Sequence, residues 1–269
     1  MKSYVTQAKL LTSLLLAAII PLAMLGCNTT PTTGVGTIHS YRLTGAAVMD
    51  PNRGSTTIGV DYQRDGATLS SAIVTFDGDT LMYNFPGFPT PDVFSELFAS
   101  PNVFPIGKRI VRARDSSLRV SSDTVTTIVT DTFSITNVVP TIRVVRGLHS
   151  VSLAWDVSGN ATGYVMAAVL RQDAYKGNGY SAYATSLNTA GTLPPEAFTP
   201  SGGILPDTGW YYLYVYSYTG YPDSTLTSYV LPVPMPSALP DNIRRDGLTG
   251  RFGSIRVALF DSVYVTYEL

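Results

Sequence analysis

The sequence predicts an all-β body, and three observations predict it. Short runs rich in β-branched and aromatic residues alternate between apolar and polar positions. Asp-Gly pairs, Gly and Pro punctuate these runs at intervals of roughly ten residues, as in sandwiches. No stretch sustains the 3.6-residue period of an amphipathic helix; the nearest candidate, Pro91 to Ala99, is short and flanked by prolines. The composition agrees, with 17 Tyr, 23 Gly and 18 Pro among 269 residues. Only 14% of residues are charged, against about 25% in ordinary domains.

The first element is a leader. Lys2 and Lys9 give a basic start, and residues 1–26 contain no acid. The apolar stretch Leu10 to Gly26 follows, interrupted by Thr12, Ser13 and Pro21. This is the layout of an export signal, and it is marginal for a spanning helix of roughly 20 apolar residues. Cys27, the only cysteine, ends the run, so no intrachain disulfide can form. The segment Leu22-Ala23-Met24-Leu25-Gly26-Cys27 resembles the lipobox of bacterial lipoproteins, with Met24 and Leu25 departing from the commonest choices. The resemblance implies cleavage before Cys27, a lipid on its sulfur and an acylated amino terminus. Several acyl chains together make a stable anchor. Asn28 in place of Asp after the cysteine implies, within that family, an outer membrane. Residues 28–36 (NTTPTTGVG) cannot bury a core and read as a flexible spacer.

The body starts at Thr37. Thr56 to Tyr62 alternates and is followed by Asp65-Gly66. Ala72 to Phe76 leads into Asp77-Gly78 and then Thr80 to Tyr83. An Asp-Gly pair between β-rich runs predicts a hairpin, because both residues tolerate positive φ. Residues 84–107 read as a Pro-rich loop in which Phe85, Phe88, Phe94, Phe98 and Phe104 either pack locally or face a partner. Strands are expected at Val125 to Phe133 and Ile142 to Val145.

The second half is expected from residue 139 to 269, after a first sandwich over 37–138. Val151 to Trp155 alternates, Gly163 to Val169 follows a turn, and Leu205-Pro206-Asp207-Thr208-Gly209-Trp210-Tyr211 leads into the aromatic run to Tyr218. Residues 138–220 resemble a fibronectin type III or related immunoglobulin-like domain, at Trp155, Tyr164 and Leu205 to Tyr211. That resemblance implies a buried Trp155 and two packed sheets. Residues 221–252 depart from it as a long insertion, and Ser254 to Glu268 would supply the closing strand. The fold expected is therefore two tandem immunoglobulin-like β-sandwiches after a signal peptide.

Several chemistries find little footing. Beyond the leader, 16 basic residues face 19 acidic ones with no block of like charge, so no basic patch points to nucleic acid. His39 and His149 are the only histidines, too few for a His-rich metal site, and one lipidated Cys excludes a cysteine zinc site. No cofactor or metal is expected. HExxH, GxSxG, P-loop and GxGxxG patterns are absent from the sequence. Asp77 and Asp79 read as a hairpin turn rather than as a calcium site or a carboxylate dyad.

The candidate ligand-binding residues are Trp210, Tyr212, Tyr214, Tyr216 and Tyr218, which share one face of a strand, with Tyr211, Leu213, Val215 and Ser217 on the other. Either set can fill a core. If the aromatic set faces out, it is covered by Val230 to Pro236 or open to a ligand. The sequence thus points to a lipid-anchored, non-enzymatic envelope protein that presents β-sandwich modules to an envelope protein or polysaccharide. A glycan-binding module, or a hydrolase acting on envelope glycans or peptides through the 84–107 loop, is the alternative.

Overall fold

A computed structural model describes residues 39–266, except 119–122, 141–142, 146–148, 186, 200–207, 229 and 246. The leader, Cys27, the spacer and the Leu205 to Asp207 turn lie outside the described residues. The chain from His39 onward forms one compact unit.

The strands β1 (Tyr41–Asp50) and β2 (Ser55–Arg64) make a long hairpin, and β3 (Ala67–Thr68) returns along β2. Asp65 and Gly66 turn that corner with φ of 53° and 83°. Asp77 and Gly78, at 51° and 104°, do the same between β4 (Ile73–Phe76) and β5 (Asp79–Thr80). Positive φ at both central residues is the primed turn that matches strand twist.

The expected strand over Thr80 to Tyr83 divides. The strand β5 stays with β4, whereas β6 (Met82–Tyr83) pairs with β7 (Phe94–Phe98) in another sheet. Buried Leu81 marks the crossing. The helical candidate Pro91 to Ala99 therefore contains a strand, because Phe94 and Phe98 pack from one face against the first core and β2 offers an edge. The strands β8 (Gly107–Arg114) and β9 (Asp123–Val129) complete a four-stranded sheet, in the order β5-β4-β8-β9.

Next come β10 (Ile135–Val139), β11 (Arg143–Val145), β12 (Val151–Trp155), β13 (Gly163–Leu170), β14 (Tyr180–Tyr183) and β15 (Ala190–Leu193). The chain ends with β16 (Gly209–Gly220), a one-turn helix α1 (Ser224–Thr227), β17 (Ile243–Arg245) and β18 (Leu248–Thr266). The Asp223 carboxylate caps α1 by accepting the N–H groups of Thr225 and Leu226.

The organising strand is β18, 19 residues long. It runs parallel to β1 through its first half and parallel to β11 at its end, with β16 antiparallel on its other side. One 11-stranded sheet results, ordered β14-β13-β16-β18-β1-β2-β7-β6, with β3, β11 and β17 attached.

Two β-sandwiches are built on this one sheet. The four-stranded sheet covers the β1-β2-β7 end around Tyr62, Phe76, Phe94, Phe104 and Phe252. A three-stranded sheet, β10-β12-β15, covers the β13-β16-β18 end around Trp155, Tyr164, Leu213 and Val215. The cut expected at residue 138 falls inside β10, which belongs to the second sandwich. Ile243, Leu248 and Phe252 return from the far end of the chain to the first core. The two cores are thus interleaved in sequence, because β18 is long enough to serve both.

Polar side chains fasten the seam between them. Thr219 and Ser254 both donate to the carbonyl of Ile128, and Ser217 donates to Thr130. Arg256, 2% exposed, donates through Nε to the Thr130 carbonyl and through a terminal nitrogen to Asn102 Oδ1. Burial lowers its pKa from the ordinary guanidinium value.

Candidate functional site

The aromatic row on β16 lies on the outer face of the shared sheet. Of the two sets that could fill a core, the smaller one, Tyr211, Leu213 and Val215, fills the second sandwich. The larger set then divides into three zones.

The middle zone is sealed. Tyr214 and Tyr216 are 1% and 0% exposed and pack beneath Val230, Leu231, Val233 and Met235. Pro232, Pro234 and Pro236 deprive that strap of N–H donors, so it covers the sheet without extending it. The Tyr216 hydroxyl supplies the lost pairing, donating to the Val233 carbonyl at 3.1 Å and accepting its N–H at 3.0 Å. Burial raises the Tyr216 pKa well above that of a free phenol, and burial followed by the nearby Asp50 raises that of Tyr214. Tyr175 holds the strap from one flank. Its N–H donates to the Pro232 carbonyl, its hydroxyl donates to buried Asp50 at 2.6 Å, and Arg53 lies over its ring at 4.6 Å. Ser181 and Tyr183 donate to the carbonyls of Pro234 and Ser237. A flat platform of Tyr212, Tyr214 and Tyr216 is therefore not present.

One end of the row borders an open groove of about 740 Å³, where half-buried Tyr218 meets Tyr221, Leu239, Pro240 and Arg244. Much of its polar chemistry is spent on the fold. Asp241 is held by both terminal nitrogens of Arg42, at 2.8 and 2.9 Å, and Arg251 lies 3.6 Å away. These hydrogen bonds keep the Asp241 carboxyl below the usual range. The Asn242 amide bridges both backbone groups of Phe252. Tyr218 itself lies over Gly163, its cross-strand partner, where any Cβ would collide with the ring.

The other end is open. Trp210 is 48% exposed and meets Tyr264 of β18, 37% exposed, in an edge-on pair with centroids 5.1 Å apart and planes at 63°. Half-buried Tyr212 stands between this pair and the sealed zone, with exposed Arg171 over its ring at 5.3 Å. Tyr264 and Arg171 did not stand out in the sequence, because neither lies in a motif.

The remaining sequence candidates resolve simply. None of the five phenylalanines of 84–107 is exposed; they pack locally, with Phe88 seated over Gly59. The pocket beside that loop, about 330 Å³, has Arg53 as its charged lining residue. Asp77 pairs with Arg109 at 3.0 Å beside its hairpin turn. His39 and Ser40 both bond to Asp65, so the serine hydroxyl faces a carboxylate rather than an imidazole nitrogen. Asp115 accepts from Tyr41, Arg64, and both the hydroxyl and N–H of Ser117. Burial alone would raise its pKa, but those bonds, Ser117 first, outweigh it and hold the carboxyl at about 2. Among the described residues no group of three His, Cys, Asp or Glu is placed to hold a metal ion.

No protein-family model matches the sequence, and no curated protein matches it. Among solved structures it is similar to the FN1-FN3 domains of chicken CNTN1, at 13% identity and a TM-score of 0.24, covering 64% of this chain and 57% of that one. It is also similar to a Ca2+-stabilized adhesin with which an Antarctic bacterium binds ice, at 10% identity and 0.25, covering 85% and 49%. A complex of Dpr11 IG1 with DIP-gamma gives 11% identity and 0.22. The chain spans about half the length of the first two. At such scores the likeness decides neither topology nor function; the all-β sandwich assignment rests on the strands and cores described above.

Proposed function

We propose that the chain is a lipid-anchored envelope protein whose β-sandwich body serves binding, adhesion or assembly rather than catalysis. The observation that carries the reading is the basic, apolar leader ending in Gly26-Cys27, followed by a polar spacer. The body supports it. Its two sandwiches share one sheet and a polar seam, which suits a stiff support more than a hinged cleft. Its buried carboxylates among the described residues act in the fold, Asp50 holding Tyr175, Asp115 joining strands and Asp223 capping α1. The partner belongs to the envelope, as protein or polysaccharide, and the outer membrane is the location the Asn28 signal favours.

Metabolic labelling with a palmitate analogue, followed by membrane fractionation, tests the anchor. The wild-type chain should carry label and sediment with membranes, and Cys27→Ser should lose both. Label on the Cys27→Ser chain, or a wild-type chain that stays unlabelled and soluble, would sink the reading.

A further inference from the structure

The pair Trp210–Tyr264 exists because of a bulge. Between Tyr211↔Val263 and Leu213↔Phe260 the β16–β18 register slips, leaving Asp261 and Ser262 opposite Tyr212. Side chains on a regular strand alternate faces, so without the extra residue Tyr264 would point into the core beside Phe260. With it, Val263 and Val265 enter the second core and Tyr264 emerges next to Trp210. Bulges of this kind commonly re-aim a side chain at a site.

Position supplies a second observation. The body begins at β1, whose Tyr41 sits against Leu248 at the start of β18. Tyr264 lies sixteen residues further along the same strand, about 50 Å away at the rise of extended chain. The aromatic pair is thus at the end of the shared sheet remote from the point where a tether would enter.

We propose that Trp210 and Tyr264, flanked by Tyr212 and Arg171, form a saccharide-stacking site on the tether-distal end of the body. This deepens the reading of an anchored binding protein by naming the ligand class, and it rests on that reading for its orientation. An aromatic ring of this size buries 150–250 Å², so at 48% and 37% exposure the pair offers on the order of 150–200 Å². A stable protein partner needs about 800 Å² on each side, whereas one or two pyranose rings match the smaller patch. The chemistry also fits. The axial C–H groups of an equatorially substituted pyranose are weakly positive and stack on the negative face of an indole. The two rings meet edge-on with planes at 63°, so a sugar would stack on the exposed outer surface of the pair. The exposed groups of Arg171, over Tyr212, and of Asp261, at the bulge opposite Tyr212, are polar groups that could meet hydroxyls.

The chain has two tryptophans, one buried at Trp155 and one exposed at Trp210. Acrylamide quenching of fluorescence therefore reports on Trp210. The detergent-solubilised full chain would be titrated with cellohexaose and with chitohexaose. Saturable protection of Trp210 by either sugar is expected, weakened roughly tenfold in Tyr264→Ala, as for loss of an aromatic anchor, with the melting temperature unchanged. Protection by neither sugar overturns the proposal. Equal binding by Tyr264→Ala, or by Trp210→Ala in calorimetry, also overturns it. So does a photo-crosslinker at position 210 that captures envelope protein and no glycan. The titration is independent of Cys27: the Cys27→Ser chain should bind sugar like wild type, so a failed anchor and a failed sugar site give separate signatures.

Discussion

Tyr216 and Trp210 stand on the same face of the same strand, yet one is fully sealed and the other is half open. Nothing local to β16 separates them, since the run Trp210 to Tyr218 alternates without interruption. The difference comes from what the chain later lays on each. A proline-rich strap with its own tyrosine latch covers Tyr214 and Tyr216. Trp210 meets Tyr264, turned outward by the bulge at Asp261 and Ser262. An aromatic stripe is therefore not a site in itself. It becomes one only where the rest of the fold declines to cover it.

The sealed zone should be the more expensive to damage. Tyr216→Ala removes a buried ring and the hydroxyl that bonds both backbone groups of Val233, and should cost about 3–5 kcal/mol in urea unfolding. A loss under 1 kcal/mol would mean that the strap is not part of the core. Arg256→Ala, at the seam, strands Thr130 and Asn102 acceptors and should cost about 2–3 kcal/mol. Because Arg256 ties the two sandwiches, its loss should also split one unfolding transition into two; a single unbroken transition would argue that the shared sheet alone couples them.

Acid should separate the two sandwiches more gently. The Asp115 carboxyl is held at about 2 in the fold, below the roughly 3.9 of an unfolded aspartate. A depressed folded pKa stabilises above the unfolded value, and that contribution fades as pH falls through the folded one. Stability should thus decline between about pH 4 and pH 2, first in the core beside Tyr41 and Arg64. Asp115→Asn should flatten that limb of the urea midpoint against pH; an unchanged limb would place the acid response elsewhere. The smallest effect belongs to the open end, where Trp210→Ala should change stability by no more than about 0.5 kcal/mol. A larger loss would show that the exposed ring is structural after all.

Much of this was legible residue by residue. Asp65-Gly66 and Asp77-Gly78 announced their hairpins because the required positive φ is a property of those two residues alone. A buried Trp155 was implied by the fibronectin-type resemblance, and two-residue alternation put Leu213 and Val215 on one face of their strand while leaving open which face was the core. The strand β7 was hidden, since Pro91 to Ala99 carries too short a pattern to separate strand from helix until β2 supplies an edge. Tyr264 was hidden for a different reason. A bulge changes which face every later residue takes, and its signal in the sequence is one extra residue with no distinctive chemistry.

By itself, then, the sequence determined the local choices: strands over helices, turns at Asp-Gly, and one aromatic face on β16. Only the tertiary structure decided that β18 serves both sandwiches, that Val230 to Pro236 closes over Tyr214 and Tyr216, and that Trp210 keeps its exposure. The physical reason is that conformational preference is set by each residue and its neighbours, whereas burial depends on which distant segment arrives to exclude water.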